Sequence, residues 1–234
     1  MSLPPGYGET PVPGDELQWL LPEVREVLGE PVLKAAVYDL EQAEQEAAAV
    51  ELLTVILVGV DAVTESGNYR LDDTYTVRGA LEVAELLTDH FLRALHHRLF
   101  ERIWAWAGTY RAVELNIGVP PPMVAVDIRA SLESLRYRWE HTSDWTGRQL
   151  GIAAHAELVR IHPFTDGNGR TTRLLADLVF AAAQQAHLAL TEEPVWEYDW
   201  DLDKADYIRL LREYDRHRNP SDLAAFVPVV RLGE

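Results

Sequence analysis

Cysteine is absent from the 234 residues. Disulfides, thiolate nucleophiles and zinc–thiolate centres are therefore excluded, and a cytoplasmic setting is the expectation. Long apolar runs are missing too. The longest nearly uncharged stretch, Leu52 to Val60, falls far short of the roughly 20 residues a membrane-spanning helix needs. No basic, apolar leader pattern opens the chain, so neither secretion nor a membrane partner is expected. Basic residues are scarce: 21 Lys plus Arg stand against 38 Asp plus Glu, a formal charge of −17. Such a field repels nucleic acid, which exchanges counterions for Lys and Arg, so no nucleic-acid partner is expected. A small anionic ligand is still allowed, because a few arginines reverse the potential inside a cleft.

Several phosphate and metal signatures are also lacking. There is no Gly-x4-Gly-Lys-Ser/Thr string and no His-Glu-x-x-His. Gly167-Asn168-Gly169 lacks the third glycine and the preceding strand of a dinucleotide fingerprint. His96 and His97 are adjacent and cannot form an i, i+4 metal pair.

What is present is mostly helical pattern. Apolar residues make up 47% of the chain, enough to fill one helical core. Residues 1–14 hold four prolines and three glycines and read as a flexible arm. Asp15 can cap a short helix ending near Gly29, and an Ala- and Glu-rich helix follows from Val32 to about Val63. Thr76 and Thr88 are expected as N-caps of two more helices. The second carries Phe91, Leu92, Leu95, Leu99, Phe100 and Ile103 on one stripe. Thr109 to Val126 reads as extended, with Asn116 and Gly118 at a turn and Pro120–Pro122 limiting it to a short edge hairpin. Further helices are expected at 127–141, 146–161, 170–187 and 202–216. The expected fold is mainly α: a helical bundle with one small β-hairpin and an N-terminal helical extension.

Chemistry concentrates at residues 162–173, His-Pro-Phe-Thr-Asp-Gly-Asn-Gly-Arg-Thr-Thr-Arg. His162 ends one helix, and Pro163 prevents its simple continuation. Phe164 is a core anchor. The glycines let backbone N–H groups converge, and the next helix contributes its N-terminus, so the loop is an anion site. Arg170 and Arg173, three residues apart, lie near one face and suit separate phosphates. Asp166 offers a hard oxygen for Mg²⁺. His162 adds a base that titrates near neutrality. Taken singly, each feature has a structural explanation: a helix-end histidine, a turn-forming aspartate, surface ion pairs. Together they converge on one site.

This string resembles the Fic family motif, His-Pro-Phe-x-Asp/Glu-Gly-Asn-Gly-Arg-x-x-Arg, at every defined position. Leu95 to Phe100 and Trp106 to Arg111 are similar to the family's early core helix and the start of its flap. Within the family the chain most resembles the "mobile mystery protein B" group. The resemblance implies a Fic fold over residues 88–228, preceded by a helical extension at 15–87 and followed by a tail at 229–234. It implies transfer of AMP from ATP to a Ser, Thr or Tyr hydroxyl of a target protein. His162 is then the general base and Asp166 the Mg²⁺ ligand. Phe164, Gly167, Asn168, Gly169, Arg170 and Arg173 belong to the nucleotide-binding segment. Asn116, Ile117, Gly118 and Val119 form the flap that docks the target. Gly169, where related death-on-curing kinases carry Lys, favours AMP over phosphate transfer. The alternatives are another nucleotide or phosphocholine donor, or a silent Fic-fold binding module. The family's inhibitory string, Ser/Thr-x-x-x-Glu-Gly/Asn, is not found. Its nearest counterparts are Glu46 and Glu51, expected to reach Arg173; a separate antitoxin protein is the other expected restraint.

Overall fold

The computed structural model describes residues 10–188 and 194–233. Residues 1–9 of the expected arm and Glu234 of the expected tail lie outside them. The described elements are α1 (Gly14–Leu17), α2 (Pro22–Leu28), α3 (Lys34–Leu57), β1 (Tyr69–Arg70), β2 (Thr76–Val77), α4 (Val83–Leu86), α5 (Asp89–Phe100), α6 (Val124–His141), α7 (Gly147–Ile161), α8 (Asn168–Leu188), β3 (Trp196–Tyr198), α9 (Lys204–His217), α10 (Ser221–Phe226) and β4 (Val229–Arg231).

The fold is mainly α, as expected, and α7, α8 and α3 make its centre. Leu150, Leu158 and Ile161 from α7 meet Leu175, Leu178 and Val179 from α8, all fully buried. Leu52, Val55 and Ile56 bring α3 into the same core, where each such side chain contributes roughly 1.5–3 kcal/mol. The α5 stripe is buried as its spacing predicts. The N-terminal extension and the 162–173 segment therefore share one core. A second, smaller cluster joins the outer faces of α7 and α8 to β3, α9 and α10.

Local signals explain the helix starts. Thr88 accepts from the Phe91 N–H at 3.1 Å, and Thr146 and Gln149 form a reciprocal capping box on α7. Thr76 is not an N-cap: it lies in β2, paired with Arg70. The hairpin expected within Thr109 to Val126 has no strand ladder of its own. The antiparallel pairs are instead β1 with β2 and β3 with β4. Arg111 and Val119 spend their N–H groups on Pro163 and Ile161 rather than on each other's segment, so no internal ladder forms. Residues 229–231, expected as part of a tail, pair with β3. The arm is docked from Thr10 onward: Val12 donates to the Val32 carbonyl at 2.8 Å, and Lys34 to that of Thr10 at 2.9 Å.

Candidate functional site

Two helices that nearly touch set up the site. The α7 ladder closes with the His162 N–H donating to the Leu158 carbonyl at 2.9 Å. His162 itself adopts a left-handed backbone, φ 54° and ψ 65°. A non-glycine residue there carries strain on the order of 1–3 kcal/mol, held in place by its surroundings. The chain turns through Pro163 and starts α8 at Asn168. Gly167 has φ +73°, and a Cβ on it would lie 2.4 Å from the Phe100 ring. Only glycine lets the loop pass that ring.

These turns gather His162, Asp166, Gly167, Asn168, Gly169, Arg170 and Arg173 around a cavity of ≈ 500 Å³. The first turn of α8 has N–H groups without intrahelical acceptors, the usual basis of an anion site. Asp166 is exposed and lines the cavity; its Oδ1 accepts from the Gly167 N–H at 2.6 Å. Among the described residues no group of three or more His, Asp or Glu could enclose a metal. A cation at Asp166 would thus depend on oxygens brought by a ligand, which suits Mg²⁺ with a polyphosphate. Burial and the nearby Arg111 charge hold the His162 imidazole below its usual range, against the pull of Asp166. It is therefore mostly the free base at neutral pH.

Two residues assigned to nucleotide contact have other work. Phe164 is fully buried and stacks on His96, ring centroids 3.6 Å apart and 7° from parallel; it does not line the cavity. The Asn168 side chain clasps the loop, accepting from the Phe164 N–H at 2.9 Å and donating to its carbonyl at 2.8 Å. Both of its side-chain polar atoms are thus engaged within the loop.

The inhibitory expectation is corrected as well. Glu46 sits on an exposed face and accepts from Gln42 at 2.9 Å. Glu51 is taken by Arg98 Nη2 at 2.9 Å and the Tyr69 hydroxyl at 2.8 Å. Neither lines the cavity, which α3 reaches at Lys34, Val37, Tyr38 and Glu41. Glu41 reaches the site instead. One oxygen accepts from Trp104 Nε1 at 2.7 Å, and the other forms an ion pair with Arg170. Arg173 makes no ion pair among the described residues, so the two motif arginines are in different states.

Sequence reasoning missed several residues here. Lys34, Tyr38 and Glu41 line the cavity from α3. Their spacing of four and three residues puts them on one helix face, a signal that was available. His96, fully buried, accepts from the Gly108 N–H at 2.9 Å through Nδ1. Its Nε2 then donates to the Asp166 carbonyl at 3.2 Å. Burial pushes it down to about 3, so it stays neutral. The expected docking residues run past His162: Asn116, Ile117 and Gly118 are exposed, and the Val119 N–H donates to the Ile161 carbonyl at 3.2 Å.

Comparison with known proteins agrees with this geometry. Residues 86–180 match the Fic/DOC family. The chain is 35% identical over 79 residues to the Protein adenylyltransferase Fic of Drosophila ananassae, covering 32% of this chain and 16% of that protein. The Drosophila melanogaster protein of the same name matches to the same extent. The chain thus spans about a sixth of the length of these relatives. Its fold resembles the N-terminal Fic domain of a Bep effector from Bartonella quintana, with TM-score 0.54, 17% identity and 84% of each chain covered. It also resembles BepC from Bartonella tribocorum, solved with AMPPNP, with TM-score 0.51, 15% identity, and 83% and 88% of the two chains covered. Residues 86–180 thus carry the Fic/DOC-family pattern.

Proposed function

We propose that this protein transfers AMP from ATP to a hydroxyl of another protein. The observation that carries the reading is the shared cavity: a base, a carboxylate, a glycine nest and two arginines open onto one space. The adenylyltransferase names of the relatives and the nucleotide in the BepC structure support it. ATP places its phosphates over Gly167 and Gly169, with Arg170 and Arg173 on the outer phosphates. A Ser, Thr or Tyr of the target enters along residues 116–119. His162 takes the hydroxyl proton while the oxygen bonds the α-phosphorus. The bond from that phosphorus to the bridging oxygen breaks, and pyrophosphate leaves with the electron pair. Asp166 would hold Mg²⁺ together with phosphate oxygens, and the ion would supply charge neutralisation for the leaving group. The arginines and the N–H nest do the same from fixed positions, so orientation and electrostatics supply most of the rate.

The test is incubation of parent and His162→Ala with labelled ATP, GTP, UTP, CTP and CDP-choline in bacterial lysate, read by mass spectrometry. A mass increment of AMP on hydroxyl residues, present only with the parent and ATP, is the expected outcome. Another donor's increment, or none, overturns the reading.

A further inference from the structure

Arg111 is buried, yet all four groups that receive its guanidinium are backbone carbonyls. Nε donates to His162 at 2.6 Å, Nη1 to Val113 at 2.9 Å, and Nη2 to Val119 and, at 3.4 Å, to Ile161. Its own N–H donates to the Pro163 carbonyl at 2.9 Å. One side chain thus joins two ends of the 113–119 segment to the last residue of α7 and to the strained His162. Gly118 tightens the same junction. It has φ +96°, and a Cβ there would lie 2.7 Å from His162 Cβ, 2.8 Å from Arg111 Nη2 and 2.8 Å from the Ile161 carbonyl oxygen.

We propose that Arg111 is the positioning residue for His162, locking the helix-end turn and the 113–119 segment into one unit. A full charge spread over neutral carbonyls is an uncommon use of a buried arginine, since a surface pair would cost less. Its planar fork suits the task because its donors point in fixed and different directions. The His162 carbonyl is held at one end and its N–H at the other, so the imidazole leaves the backbone at one angle. The segment that carries the target lies against the same guanidinium. Base and target backbone are therefore indexed to one group. The proposal rests on His162 as the base for its kinetic consequence, but not for its structural one.

The experiment compares the full chain with Arg111→Lys, Arg111→Met and Gly118→Ala. A lysine keeps the charge but cannot span four carbonyls. Backbone amide exchange at Val119 and His162 is measured first, with unfolding followed on the same samples. Faster local exchange in all three variants, without faster exchange in α5 or α8, is expected. Misplacing a base by about 1 Å can cost about 10²-fold. Arg111→Lys should therefore lose that much in kcat, with KM for ATP changed by less than a few-fold. Added guanidinium should restore part of the rate to Arg111→Met alone. Unchanged exchange at Val119 and His162 in a folded Arg111→Lys overturns the proposal, as does full kcat in that variant. If the parent transfers no AMP, the functional reading has failed, and the exchange comparison still decides the role of Arg111.

Discussion

Glu41→Gln is the substitution that most sharply separates a regulatory contact from scaffold. Glu41 is 6% exposed and divides its carboxylate between Trp104 Nε1 and Arg170. Glutamine keeps an acceptor for the indole and puts an NH2, which carries no charge and cannot accept, where the second oxygen held Arg170. Arg170 lines the cavity where phosphates are proposed to bind, so Glu41 and a nucleotide compete for one guanidinium. A charge-assisted hydrogen bond is worth about 1.5–3 kcal/mol. Freeing Arg170 should therefore raise nucleotide affinity by about 10- to 10²-fold at most. Stability should move the other way, since the pair is largely buried and its loss leaves Arg170 with only the face of the Phe100 ring. For a chain of this size each ~1 kcal/mol lowers Tm by about 2–4 °C. The assay is calorimetric titration with AMPPNP and Mg²⁺, alongside thermal unfolding with and without the nucleotide. The signature is opposed signs: a lower Tm for the free variant, tighter binding, and a larger Tm gain on adding nucleotide. A less stable variant that binds no more tightly would show that the pair is scaffold and does not restrain the site.

Further outcomes follow from the same geometry. His162→Ala should abolish transfer, a loss of at least about 10²–10⁴ in rate, while calorimetric affinity for ATP stays within a few-fold; retained transfer would remove His162 from the base role. Asp166→Ala should lose activity together with the response to added Mg²⁺, and a normal Mg²⁺ titration of turnover would place the cation elsewhere. Acid should destabilise the fold through its buried histidines. His96 and His155 are fully buried, and burial lowers both to about 3. Their folded-state values lie below the unfolded value, so between about pH 6.5 and 3 the unfolded chain binds protons that the folded chain refuses. Stability falls as pH falls through that window, by about 2 kcal/mol per histidine at pH 5. Urea unfolding across that range should show His155→Gln with a shallower decline than the parent; equal slopes would mean that the histidine does not contribute.

Much of the helical layout was legible because it rests on local rules. The α5 stripe, the Thr88 cap and the break at His162-Pro163 all depend on neighbours within a turn or two. The 162–173 string was legible for the same reason: a glycine nest, a helix start and two arginines three residues apart form locally. Other features hinge on partners far along the chain. The 109–126 segment has the residues of a hairpin, but Arg111 and Val119 donate to Pro163 and Ile161, so its backbone bonds go to the turn at 161–163. Asn168 looks like a ligand until its side chain is seen closing its own loop on Phe164.

The sequence by itself determined most of the helices, the Thr88 cap and the residue types gathered at 162–173, because short-range backbone geometry and side-chain type suffice for those. Only the tertiary structure decided which glutamate of α3 meets the motif. Glu41, Glu46 and Glu51 share a helix, but at 100° per residue they point to different sides. The packing of α3 on α8 and α5 turns Glu41 toward Arg170 and Trp104, leaves Glu46 to Gln42, and gives Glu51 to Arg98 and Tyr69. The rotation of one helix about its axis is set by the whole buried face, and no local pattern around a single glutamate contains it.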